Sequence, residues 1–161
     1  MRDLLAWIEA TGLGHWMRES GPWTYALVNT AHIIGVATLF GSVLALDLRL
    51  LGLRTRVRLA DLASVVTPIG AAGFALAALT GAAMLATKAT AYVDNPFLLV
   101  KFPAIALGLL NVGALNLTPA WRARGARELS RTERRQLAVF GGLSLASWLT
   151  AITCGRMIAF W

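Results

Sequence analysis

An all-α integral membrane fold, four spanning helices in a bundle with a short amphipathic helix on the outer face, is what this sequence predicts. Three observations predict it. The 161 residues are 57% hydrophobic and only 14% charged, and the mean hydropathy of +0.64 is too apolar for a water-soluble globule. Four stretches carry no charged side chain: Gly21 to Leu46, Leu62 to Thr87, Phe102 to Trp121 and Gln136 to Gly155. Each reaches the roughly 20 apolar residues that a helix needs to cross hydrocarbon, where only a helix satisfies its backbone groups within its own segment. The four occupy more than half of the chain, so residues 1–161 read as a single membrane domain without room for a second, water-soluble one. Most soluble enzyme classes are thereby excluded.

In chain order, residues 1–20 form the interfacial segment. Arg2 to Arg18 read as one amphipathic helix with Leu4, Leu5, Ile8 and Thr11 on one face, lying on the outer leaflet or packed over the mouth of the bundle. Asp3 and Glu9 interrupt what would have to be the apolar core of a secretory signal, so the segment is expected to be retained. Gly21 and Pro22 then break the chain. Spans are expected over about 23–47, 62–87, 97–118 and 133–157. Asp94-Asn95-Pro96 is a turn that starts the third, and Pro119 stops it. Ser130 and Glu133 have capping-box spacing for the fourth. Small residues four apart in Gly73-Ala77-Gly81 and in Ala138-Gly142-Ala146-Thr150 give faces for close helix packing or for an oligomer interface.

Charge sets the orientation. Of the 15 lysines and arginines, ten fall in two loops: Arg49, Arg54, Arg56 and Arg58 in the first, Arg122, Arg124, Arg127, Arg131, Arg134 and Arg135 in the third. The positive-inside rule places these loops in the cytoplasm and both termini outside. Trp16, Trp23, Tyr25, Tyr92, Phe97, Phe160 and Trp161 then lie near the outer interface, where amphipathic rings settle. The net charge of +7 is accounted for by topology and by anionic lipid in the bilayer, with no nucleic acid called for. The preference for arginine over lysine hints at a GC-rich bacterium.

His32, well inside the first span, is the side chain most in need of a role. Asn29 lies one turn above it on the same face. Three roles stay open: an interhelical hydrogen bond, a haem or metal ligand, or a proton or quinone contact. Met84, Lys101, Cys154, Arg156 and Met157 are placed by topology near the same leaflet. Copper(I) takes imidazole, thiolate and thioether, which names His32, Met84, Cys154 and Met157 as candidate metal ligands. A haem b takes an axial histidine with basic groups at its propionates, which names His32, Lys101 and Arg156. Lys101 would otherwise snorkel to the headgroups. Asp47 and Arg49, two apart and so on different faces of the helix, are expected to pair with loop groups and fix its depth, the alternative for Asp47 being a proton relay. A phosphate-binding glycine loop, a nucleophile elbow and CxxC or CxxCH motifs are absent from the sequence. Its only histidines are His15 and His32 and its sole cysteine is Cys154, so a haem held by two histidines on facing helices cannot be built.

Trp23-x-Tyr25, His32-Ile33-x-Gly35, Gly41, Asp47-x-Arg49-Leu50-Leu51-Gly52, Asn95-Pro96, Lys101 and Gly155-Arg156 resemble a family of small bacterial four-helix inner-membrane proteins, loosely grouped with the CopD copper-resistance proteins. The resemblance runs over nearly the whole chain and is most specific from His32 to Gly52. It implies the fold and the membrane location. Two positions depart from the pattern: Asn29 stands where an acidic residue is common, and Asn116 where a histidine is often found. The expectation is an accessory or anchoring inner-membrane subunit for periplasmic electron or copper handling, without catalytic activity of its own. It would work with a periplasmic or membrane redox partner. The alternative is a small oligomeric transporter or channel for copper or another small solute.

Overall fold

The structure, a computed structural model, describes residues 2–53 and 55–161. Arg54, one of the first-loop cations, lies outside them. The fold is all-α: α1 (Arg2–Glu9), α2 (Gly12–Glu19), α3 (Gly21–Leu50), α4 (Leu59–Thr87), a 3-10 turn (Ala89–Tyr92), α5 (Pro96–Leu117), the short α6 (Pro119–Arg122), α7 (Arg131–Met157) and a closing 3-10 turn (Ile158–Phe160). Among the described residues four helices, α3, α4, α5 and α7 with its closing turn, are long and apolar enough to cross a membrane. They overrun the charge-free stretches because a helix continues past the hydrocarbon edge, as α4 does in taking Asp61 into its first turn. Only a minority of the residues in each span are fully buried by the chain itself, from 22% in the most apolar stretches of α3 and α4 to 39% in that of α7.

The sequence places one helix at the N-terminus; the structure has two. Thr11 ends the first by donating its hydroxyl to the Ile8 carbonyl and starts the second by accepting from the Gly14 amide. A threonine that can cap, followed by Gly12, favours this break over the continuous face on which Thr11 was expected. Gly21, at φ +80°, then makes the turn into α3, a conformation open to glycine. Pro119 does not simply stop α5. Thr118 caps α6 by accepting from the Trp121 amide, with Pro119 in its first turn where a missing N–H costs nothing. The expected turn before Pro96 and the capping box of Ser130 and Glu133 are both present.

The chain divides into two compact units, Met1–Leu39 with Ala71–Pro96 and Phe40–Gly70 with Phe97–Trp161, so α3 and α4 each contribute to both. In the first unit, α3 and α4 touch backbone to backbone at the glycine stripe. A Cβ on Gly35 would stand 2.7 Å from the Ala77 amide nitrogen, and one on Gly73 would stand 2.6 Å from that of Leu39. The N-terminal helices pack on the end of α4 and the turn after it. Arg18 donates to the Ala86 and Thr87 carbonyls, Gly14 lies against the Ala86 carbonyl, and Arg2 pairs with Asp94 at the surface. Glu9 accepts from the Thr90 amide at 2.8 Å and its hydroxyl at 2.7 Å.

Those two bonds, the amide first, hold the Glu9 carboxyl below its ordinary value of 4.5, with help from Arg18. A carboxyl depressed in the folded state contributes stability above its unfolded value and loses it as pH falls through the folded one. The α1 tether is therefore expected to loosen as pH falls below the ordinary carboxylate range, seen as a lower protection factor at the Thr90 amide relative to intrinsic exchange at the same pH. Glu9→Gln should remove that pH dependence, and an unchanged profile in the variant would show that the tether does not run through this carboxyl.

In the second unit, Leu50, Leu59, Ala63, Leu115, Ala120, Trp121 and Leu137 form the buried cluster, drawn from α3, α4, α5, α6 and α7. Close packing of α7 within the second unit does not run through the stripe of small residues expected for it. Ala146 and Thr150 are exposed, and the buried face runs through Leu137, Gly141, Ser144, Trp148 and Ala151. Gly141 rather than Gly142 meets α3, since its Cβ would lie 2.9 Å from Leu50 Cβ and 3.1 Å from the Asp47 carbonyl. One residue turns a helix by about 100°, so a stripe of small residues beside the true face passed for it.

Candidate functional site

The first unit holds His32. Its Nδ1 lies 3.0 Å from the Ala77 carbonyl and 3.1 Å from Thr80 Oγ1. A carbonyl oxygen only accepts, so Nδ1 carries the hydrogen and donates. Thr80 passes its own hydroxyl hydrogen to the Leu76 carbonyl at 2.6 Å. The ring has room because residue 81 is glycine, whose Cβ would come within 3.0 Å of Cε1. His32 thus ties α3 to α4 one turn along from the Gly35 contact. Asn29 is half-buried above it on α3, and Met84 is half-buried on α4, one turn beyond Thr80.

The second unit holds the other candidates. Lys101 on α5 lies along α7, its Nζ 3.3 Å from where a Gly155 Cβ would stand, and Cys154, buried, is near enough to interact with it electrostatically. The structure thereby joins two parts of the sequence pattern, Lys101 and Gly155-Arg156. Arg156 itself turns outward and stacks over the Phe160 ring at 4.7 Å, and Met157 is 39% exposed.

Asp47 does not pair with a loop group. Its side chain is 97% buried, hydrogen-bonded to Ser144 of α7, and one oxygen, Oδ2, has no partner. Close packing at Gly141 delivers it there. Arg49, two residues on, faces the first loop and donates Nε to the Val57 carbonyl at 2.7 Å. Asn111, which sequence reasoning passed over, is 95% buried on α5 and donates to the Phe140 carbonyl at 3.0 Å. A lone amide in the middle of an apolar run was the available signal. Asn116, noted only as standing in for a histidine, accepts the Trp121 indole N–H at 2.9 Å.

The donor set named for copper does not come together within either unit. The first contains His32 and Met84, the second Cys154 and Met157, and no group of three histidine, cysteine, aspartate or glutamate side chains able to hold a metal occurs among the described residues. The haem set is likewise divided, with His32 in one unit and Lys101 and Arg156 in the other. Neither group is fitted by the residues of one unit.

The two basic loops do meet. Arg49 and Arg58 from the first, with Arg124, Arg127 and Arg134 from the third, line one depression of about 640 Å³ in the second unit. Comparison with protein families, curated proteins and solved structures gives no match. The geometry therefore carries the functional reading alone.

Proposed function

We propose that this chain is an accessory or anchoring subunit of a bacterial inner membrane, serving a periplasmic electron- or copper-handling partner and doing no covalent chemistry of its own. The observation that carries the reading is the use made of the polar groups inside the spans. His32 binds α4, Asp47 binds Ser144 and Asn111 binds the Phe140 carbonyl. Polar side chains in hydrocarbon serve either to join helices or to line a path, and these three join helices. The resemblance to the CopD-grouped membrane proteins supports the fold and the membrane location of such a subunit.

The termini are proposed to lie on the periplasmic side. Arginines of two loops far apart in sequence line one depression, which supports their sharing the cytoplasmic face. A cysteine at exposed Ser130 should then be shielded from an impermeant thiol reagent in intact cells, and one at Asp94, whose side chain is 81% exposed, should react. Crosslinking in native membranes followed by purification tests the role. A larger redox protein is expected to copurify in fixed proportion. A homo-oligomer that moves copper across proteoliposomes unaided would overturn the subunit reading in favour of a transporter.

A further inference from the structure

The positive-inside rule explains how many arginines stand at this end of the second unit, but not how they are arranged. Arg56, Arg131 and Arg135 belong to the same loops and do not line the depression, whereas Arg49, Arg58, Arg124, Arg127 and Arg134 do, against one lining acid, Glu128. The lining guanidiniums are held in place. Arg49 donates to the Val57 carbonyl, Arg134 donates Nε to the Leu129 carbonyl at 2.9 Å, and Arg124 donates to the Trp121 carbonyl at 2.6 Å. Arg124 also lies 4.0 Å over the Trp121 ring. Arg127 is chelated by both oxygens of Glu133, whose hydrogen bond and charge hold its guanidinium above its ordinary value, and Arg58 sits 3.8 Å from Asp61.

Once those two acids are set against their partners, Glu128 is the one acid left that lines the depression, and Arg49, Arg124 and Arg134 have no ion pair among the described residues. Each guanidinium has five N–H donors and gives one of them to a backbone carbonyl here. A fixed set of guanidinium forks with N–H groups to spare matches the oxygens of phosphate.

We propose that the depression is a binding site for a phosphate-bearing anion, held by Arg49, Arg124 and Arg134. Arg49 is in the last turn of α3, and Arg58 and Arg134 flank the starts of α4 and α7. Those helix ends are where spans leave the hydrocarbon, at the depth of lipid headgroups. The same oxygens are offered by an anionic lipid headgroup or by a free phosphate, and basic pockets at this level recognise headgroups.

Full-length protein in neutral detergent, offered phosphatidylglycerol, phosphatidylcholine or inorganic phosphate and read by native mass spectrometry and thermal unfolding, tests the site. Wild type is expected to retain phosphatidylglycerol and not phosphatidylcholine. Each lining cation that meets the phosphate is expected to contribute about fivefold in affinity, so Arg124→Gln with Arg134→Gln should weaken retention about thirtyfold. Arg131→Gln with Arg135→Gln, which removes the same charge outside the depression, should change it by less than about threefold. If the Arg124 variant does not fold, Arg49→Gln with Arg134→Gln carries the same expectation. Stabilisation by inorganic phosphate alone would support the site and assign it a soluble ligand. Equal losses from the two pairs of variants, or retention of neither phosphate source, would overturn it.

Discussion

Alanine at both Gly35 and Gly73 is expected to destabilise the protein by about 3 kcal/mol, the upper end of what overpacking usually costs. The atoms met by the new Cβ groups are the Ala77 and Leu39 amide nitrogens, at 2.7 and 2.6 Å, and the Gly73 and Gly35 carbonyl oxygens, at 3.0 and 2.9 Å. None is the end of a side chain that could rotate away, so α3 and α4 must separate. Separation would also pull His32 off the Ala77 carbonyl. Gly41 and Gly113 are the controls, with no atom within 4 Å of the added Cβ. Alanine there should be neutral or stabilising by up to about 1 kcal/mol through helix propensity. Denaturant titration in detergent reads both, and equal stability of the two double variants would mean that the helices do not touch at this stripe.

Trp121→Ala is expected to have the largest effect of any single substitution, about 3 to 5 kcal/mol. The ring is 4% exposed and belongs to the cluster with Leu50, Leu59, Leu115 and Leu137, so its loss removes packing from every helix that contributes to the second unit. It also leaves the Asn116 carbonyl oxygen without the indole N–H and Arg124 without the surface it stacks on. Trp121→Phe separates these terms. It keeps most of the volume and loses the hydrogen bond, so about 1 kcal/mol is expected. Losses of similar size in the two variants would place the stabilisation in the indole N–H rather than in the packing.

The spans were legible because hydrocarbon imposes one requirement, absence of charge over a helix length, that can be read along the chain without knowing the fold. Local chemistry was legible for the same reason. The Ser130 and Glu133 box and the turn before Pro96 depend on residues within a few positions of each other. What could not be read depends on rotation and on partners distant in sequence. The buried face of α7 differs from the small-residue stripe by a single residue, and it is α3 meeting Gly141 that decides between them. Asp47 and Ser144 are 97 positions apart, so the carboxyl expected beside a loop is buried against α7. The five arginines of the depression come from two loops whose meeting no periodicity encodes. At the N-terminus the miss was local: Thr11 competes for the backbone as a cap, and helix periodicity does not register that competition.

The central claim is that the polar groups within the spans tie helices together, with His32 as the clearest case. An absorption spectrum and metal analysis of full-length protein, purified in mild detergent without chelator, test it beside the stability of His32→Ala. A colourless, metal-free protein is expected, with a loss of about 1 to 2 kcal/mol in the variant, the range of an interhelical hydrogen bond in a membrane. A haem Soret band or stoichiometric copper in the wild type, lost in a His32→Ala variant of unchanged stability, would contradict it.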